Sequence, residues 1–167
     1  MGNSTNGSLY TLFDPGTNGS LTDGNLYFRM RLSTDTQSAG YSGYIWIGVD
    51  ADNDVNHDID IFIGVNRQGS TTTTELHDPG AGLNISPSTT TINSTALTSV
   101  THTAANYNWS ILSAANHPGT LDIDGNGNDY FLSFSLPFQD LVTQLARPGV
   151  GININDRTAL GFVSATS

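Results

Sequence analysis

Between positions 26 and 32 the chain alternates strictly. Leu26, Phe28, Met30 and Leu32 are apolar, and Tyr27, Arg29 and Arg31 fall between them. A period of two sends successive side chains to opposite faces, so this pattern predicts a half-buried strand with one wet face. Tyr130, Leu132, Phe134 and Leu136 alternate with Phe131, Ser133 and Ser135 in the same way. Positions 43–49 (GYIWIGV) predict a strand that is apolar on both faces. Ile59, Ile61, Ile63 and Val65 predict the next one, with Asp60, Phe62 and Gly64 opposite. Shorter strands are predicted at 9–13, 107–112 and 159–163. One helix is predicted over 137–146. Pro137 opens it, Phe138, Leu141, Val142 and Leu145 share one face, and Pro148-Gly149 stops it. Positions 68–106 are rich in Thr and Ser, including a Thr run at 71–74, and too little there is apolar to define a face. Short edge strands and long loops are expected in that stretch. The whole pattern predicts an all-β chain, a two-sheet antiparallel β-sandwich with one short helix.

Composition supports a turn-rich β protein. Only 12% of the 167 residues are charged, and Gly, Ser, Thr and Asn fill the difference. The length is that of one domain, so 1–167 is read as a single unit, expected to be cut from a longer secreted protein. There are 15 acidic and 5 basic side chains, a net charge of −10. Fourteen of the acids are Asp, Glu75 is the only Glu, and every base is Arg. Such a surface repels phosphate backbones, so no nucleic-acid partner is expected. The absence of Cys excludes disulfides and thiol chemistry. No window is long and apolar enough for a membrane span, so no membrane insertion is expected.

Asp in place of Glu is a turn and metal-loop pattern. Asp50, Asp52, Asp54, Asn56, Asp58 and Asp60 put five carboxylates within eleven residues, between two apolar strands. Alternate positions on a curling loop aim side chains at one point, and Ca²⁺ takes six to eight oxygens from loops of this kind. The loop departs from the EF-hand, with Val55 at the sixth position and Ile61 at the twelfth. A second loop carries Asp122, Asp124, Asn126, Asn128 and Asp129, with Gly127 at the sharp turn and no closing Glu. These two loops account for −8 of the −10 charge. Ca²⁺ is the expected cofactor, and Mg²⁺ suits the loops less because it keeps its waters. The competing reading is that Asx-rich turns cap their own backbone.

His57, His77, His102 and His117 have no zinc-ligand spacing, and no nucleophile motif occurs, so no enzymatic activity is expected. Tyr44 and Trp46 precede the first acidic loop, and Tyr107 and Trp109 follow the polar middle. They are the candidate ligand-binding aromatics, suited to stacking on sugar rings. The alternative is that the two Trp side chains are core anchors. Tyr27, Arg29 and Arg31 share a strand face, which suits either a carboxylate-bearing ligand or ion pairs with Asp.

Three segments in order resemble a known family. Asp23-Gly24-Asn25-Leu26-Tyr27-Phe28-Arg29-Met30 resembles an early strand of the DOMON-like sandwiches, which include the family-nine carbohydrate-binding modules. Positions 45–65 resemble the Asp-rich hairpin that follows it, and Phe131-Leu132-Ser133-Phe134-Ser135-Leu136-Pro137-Phe138-Gln139-Asp140-Leu141 resembles a later strand-to-helix step. The resemblance implies an immunoglobulin- or jelly-roll-like sandwich and a non-catalytic module of a bacterial surface or secreted protein, often with calcium. The expected location is extracellular or cell-surface. The expected role is recognition of a polysaccharide or cell-surface glycan, or adhesion. The alternative is a calcium-stiffened spacer or a self-associating subunit of an extracellular assembly.

Overall fold

The two alternating segments become neighbouring strands. The structure is a computed structural model, and it describes residues 9–17, 23–33, 41–68, 70, 72–82, 84–85, 90–115, 117, 119–122, 125 and 127–166. Its strands are β1 (Leu9–Asp14), β2 (Asn25–Leu32), β3 (Tyr44–Asp50), β4 (Ile61–Asn66), β5 (Thr73–Pro79), β6 (Ile92–Thr101), β7 (Tyr107–Ile111), β8 (Tyr130–Pro137) and β9 (Gly161–Thr166). The helix α1 (Phe138–Leu145) follows β8 directly. A four-stranded sheet has the order β1-β2-β8-β7 and a five-stranded sheet the order β6-β5-β4-β3-β9. Every pairing is antiparallel. The predicted β-sandwich with one short helix is the observed architecture.

Register explains which side chains meet. Leu26 pairs with Leu136, Phe28 with Phe134 and Met30 with Leu132. Directly opposite residues share a face, so these six form one apolar layer. The facing layer is Ile45, Ile47 and Val49 on β3 with Ile61, Ile63 and Val65 on β4. All twelve are buried. The Phe28 and Phe134 rings stack at 5.1 Å. Phe138, Leu141 and Leu145 of α1 enter the same core. The amide of Phe138 donates to the Gly24 carbonyl at 2.9 Å, which supplies the start of the helix where Pro137 has no side-chain cap to offer.

The middle of the larger sheet's outer face is covered without a further layer. Trp46 pairs with Gly64, and its ring lies so close that a Cβ at position 64 would overlap it. Tyr44 stacks parallel on Trp46 at 4.6 Å.

The Thr-rich stretch departs from expectation. β5 is an interior strand between β4 and β6, and β6 is a ten-residue edge strand. Thr74 and Leu76 face the core, while Thr73, Glu75 and His77 lie on the outer face and are held by hydrogen bonds. A strand buried through polar groups gives little apolar periodicity to read. Because Leu76 is fully buried in this strand, Leu76→Ala is expected to cost about 2–5 kcal/mol of stability, measured by urea unfolding. A loss of only a few tenths would remove β5 from the core.

Candidate functional site

The ends of β3 and β4 build the first site. Val49 pairs with Ile61, so Asp50 and Asp60 flank the connection at its base. The Asp60 amide donates to the Val49 carbonyl at 2.9 Å and closes it. Carboxylate oxygens of Asp50, Asp52 and Asp60 all lie within 4.8 Å of one another. Oxygens on one Ca²⁺ at 2.3–2.6 Å are at most about 5 Å apart, so the three fit the coordination sphere of a single ion. Asp50 is buried, Asp60 half-buried and Asp52 exposed.

Backbone donors already face these groups. The amides of Ala51 and Asp52 donate to Asp60 Oδ2 at 2.7 and 3.4 Å. The Asn53 amide donates to Asp50 Oδ1 at 2.8 Å, and the Asp54 amide to Asp52 Oδ1 at 3.1 Å. Burial raises the pKa of Asp60, the Ala51 amide opposes this, and the Asp52 and Asp58 carboxylates add to the rise. Asp54 turns away from the cluster and accepts from the amides of Asn56 and His57 at 2.7 and 3.2 Å. The Asn56 side chain donates to the same carboxylate at 3.1 Å, and Asp58 lies outside the group of three. The loop therefore converges Asp50 and Asp52 on Asp60 rather than on Asp54. Left-handed backbone at Asn53 (φ 51°) and His57 (φ 49°) turns the chain between them.

The second acidic loop is arranged differently. Asp122 accepts from the amides of Gly125 and Gly127 at 2.6 and 3.0 Å, a self-capped turn. Asp129 is fully buried, and its Oδ2 accepts from Arg31 Nε at 2.5 Å. Arg31 also donates to the Thr120 carbonyl at 2.5 Å and lies 3.3 Å from His117 Nε2. The structure thus places Asp129 in an ion pair, away from the expected metal set. Asn128 is exposed, and Asp124 and Asn126 lie outside the described residues.

The four aromatics do not form one platform. Tyr44 and Trp46 are stacked on the outer face of the five-stranded sheet. Tyr107 and Trp109 point inward from β7 and pack against the core. Tyr107 stacks on His102 at 4.3 Å, and Trp109 on Tyr130 at 5.0 Å.

Beside Tyr44 lies a polar cluster that pattern reading missed. Glu75 accepts from Thr73 at 2.7 Å and Asn66 at 3.2 Å on one oxygen. On the other it accepts from Tyr44 at 3.1 Å, with His77 Nε2 at 3.0 Å. Burial works to raise the Glu75 pKa, but these hydrogen bonds outweigh it and hold it below the ordinary range. His77 Nδ1 faces the Asn93 carbonyl at 2.8 Å. Both ring nitrogens therefore face oxygen atoms, and the imidazole is fixed between Glu75 and the β6 backbone. The available signal was the lone Glu of the chain two residues before a His, a spacing that puts both on one strand face.

No protein-family model, curated protein or solved structure matches the chain.

Two predictions follow from the buried charges. Asp129→Asn leaves the Arg31 guanidinium buried without its carboxylate, and is expected to cost about 3–5 kcal/mol in equilibrium unfolding. A neutral outcome would sink the ion-pair assignment. His102 is held down to about 4 by burial and by the nearby Arg67 charge. A histidine depressed from 6.5 resists protonation in the fold, so its stabilising contribution is complete above 6.5 and is lost as pH falls toward 4. The melting temperature is expected to drop across that window, and His102→Gln to flatten the drop. An equal slope in the variant would assign the acid sensitivity elsewhere.

Proposed function

We propose that this chain is a non-catalytic, calcium-binding β-sandwich module of a bacterial surface or secreted protein that recognises a polysaccharide or glycan. The observation that carries the reading is the convergence of Asp50, Asp52 and Asp60 at the base of one strand connection, with oxygens within 4.8 Å. Three carboxylates so placed repel one another, and a divalent cation turns that repulsion into attraction. Main-chain carbonyls and water complete a calcium shell in such loops. Bound calcium ties the end of β3 to the start of β4, so metal binding adds to folding stability. The likeness to DOMON-like and family-nine carbohydrate-binding modules supports the same reading. Among the described residues no helix is long and apolar enough to cross a membrane.

The second reading, a structural subunit, is favoured by one specific feature. The edge strand β6 runs ten residues, INSTALTSVT, with no charge and no Pro. Natural edges usually carry such guards against pairing between copies. Under this reading Ser94→Lys with Ser99→Lys reduces a concentration-dependent rise in mass seen by sedimentation.

The calcium reading makes a thermal prediction. At a hundred times its Kd, calcium adds about 2.7 kcal/mol, which for this chain length is a rise of about 5–10 °C in melting temperature over EDTA. Asp50→Asn with Asp60→Asn is expected to abolish the rise. Identical melting in EDTA and millimolar calcium would remove the metal from the proposal, and a glycan array tests recognition separately.

A further inference from the structure

The outer face of the four-stranded sheet carries a cleft of about 890 Å³. Register places Tyr10, Arg29, Ser133 and Asn108 side by side across β1, β2, β8 and β7 as its floor. The turn at 104–106 and the β7–β8 connection at His117 and Gly119 also line it. Three apolar or aromatic side chains are open to water here, Tyr10 at 42%, Leu12 at 65% and Tyr27 at 37% exposure.

The charge of this cleft runs against that of the chain. With 15 acids and 5 bases in the sequence, no Asp or Glu is among the described residues that line it, and Arg29 is. Arg29 and Arg31 leave β2 on the same face but meet different fates. Arg31 is buried against Asp129. Arg29 is exposed, donates through Nε to Ser133 Oγ at 3.0 Å, and sits with Cζ 5.1 Å from the Phe131 ring centroid. Among the described residues no carboxylate lies within ion-pair distance of it. Its terminal nitrogens remain available for the paired, charge-assisted contact that a guanidinium makes with a carboxylate.

We propose that this cleft binds an acidic saccharide, a glycan bearing hexuronic-acid units. Arg29 holds the sugar carboxylate. Tyr10 and Tyr27 pack against the C–H face of the ring, and Ser133, Ser135 and Asn108 meet its hydroxyls. A peptide carboxylate would use Arg29 too, but an acidic peptide brings no ring face to pack against the exposed Tyr10 and Tyr27. The volume lies in the ordinary range for ligand sites. The proposal rests on the recognition part of the function proposed above and not on the metal. It puts the site on the opposite sheet from Tyr44 and Trp46.

The test is an amide NMR titration of the full chain with the trimer of galacturonic acid, run in calcium and again in EDTA. The carboxyl-reduced trimer and tri-aspartate are run in parallel. The acidic trimer is expected to shift β2 and β8 amides at the cleft and to bind about 10-fold more tightly than its reduced form. Arg29→Gln is expected to abolish that preference, Arg29→Lys to restore part of it, and Tyr27→Ala to weaken both trimers. Both positions are exposed, and an unchanged melting temperature confirms that the variants fold. Equal affinity for the two trimers, or a preference that survives Arg29→Gln, overturns the carboxylate assignment and leaves glycan recognition standing. A preference confined to calcium puts the ligand on the metal and overturns the site. Tri-aspartate bound as tightly as the acidic trimer identifies a peptide partner and overturns the proposal. Absence of shifts with both trimers also overturns it, while a positive glycan array would show that recognition happens elsewhere on the molecule.

Discussion

The register between β3 and β4 is the constraint on which the candidate metal site depends. Both strands are apolar along the inner face, and Ile47 opposite Ile63 must be buried for the sandwich to close. A slip by one residue would turn every one of these side chains outward. The register that buries them leaves no choice about the charges at their ends. Asp50 and Asp60 are carried to the same place by hydrophobic pairing, not by any attraction of their own. The fold thus holds like charges together with energy drawn from the core, and that is the condition under which a loop gains from a cation.

The smaller sheet shows how one strand handles two cations. Arg31 and Arg29 are two residues apart and face the same way, yet the connection that leads into β8 covers only the first. Asp129 sits immediately before β8, where its carboxylate reaches Arg31 at 2.5 Å. Thr120 and His117 complete the surroundings. Arg29 lies one step further along β2, past the cover, over the Phe131 ring. Burial rather than sequence position separates a structural ion pair from a group with capacity left for a ligand.

Much of the fold was legible because the apolar faces are written in periods. The alternation at 26–32 and 130–136 identified β2 and β8, and the spacing of Phe138, Leu141 and Leu145 identified α1. β5 was not legible, since its outer face is buried at Glu75 and His77, and hydrogen bonding leaves no apolar signature. For the acidic loop, the Asp crowding located the segment, while the partners within it depended on closure of the connection. Spacing alone offered Asp50, Asp52, Asp54, Asn56, Asp58 and Asp60 alike. Closure of the connection set Asp60 beside Asp50 and Asp52, and Asp54 was drawn into its own turn. Asp129 illustrates the same limit, because a carboxylate beside a turn reads identically whether it faces a metal or a buried guanidinium on the neighbouring strand.

Gly64 and Trp46 have a consequence for how the larger sheet excludes water. With no side chain on the glycine, the indole drops onto the backbone as a roof tile, and Tyr44 overlaps it. The peptide groups beneath are shielded from outside as they are from within. A two-layer protein thereby gains, along the middle of one sheet, the dry surroundings that otherwise require a third layer.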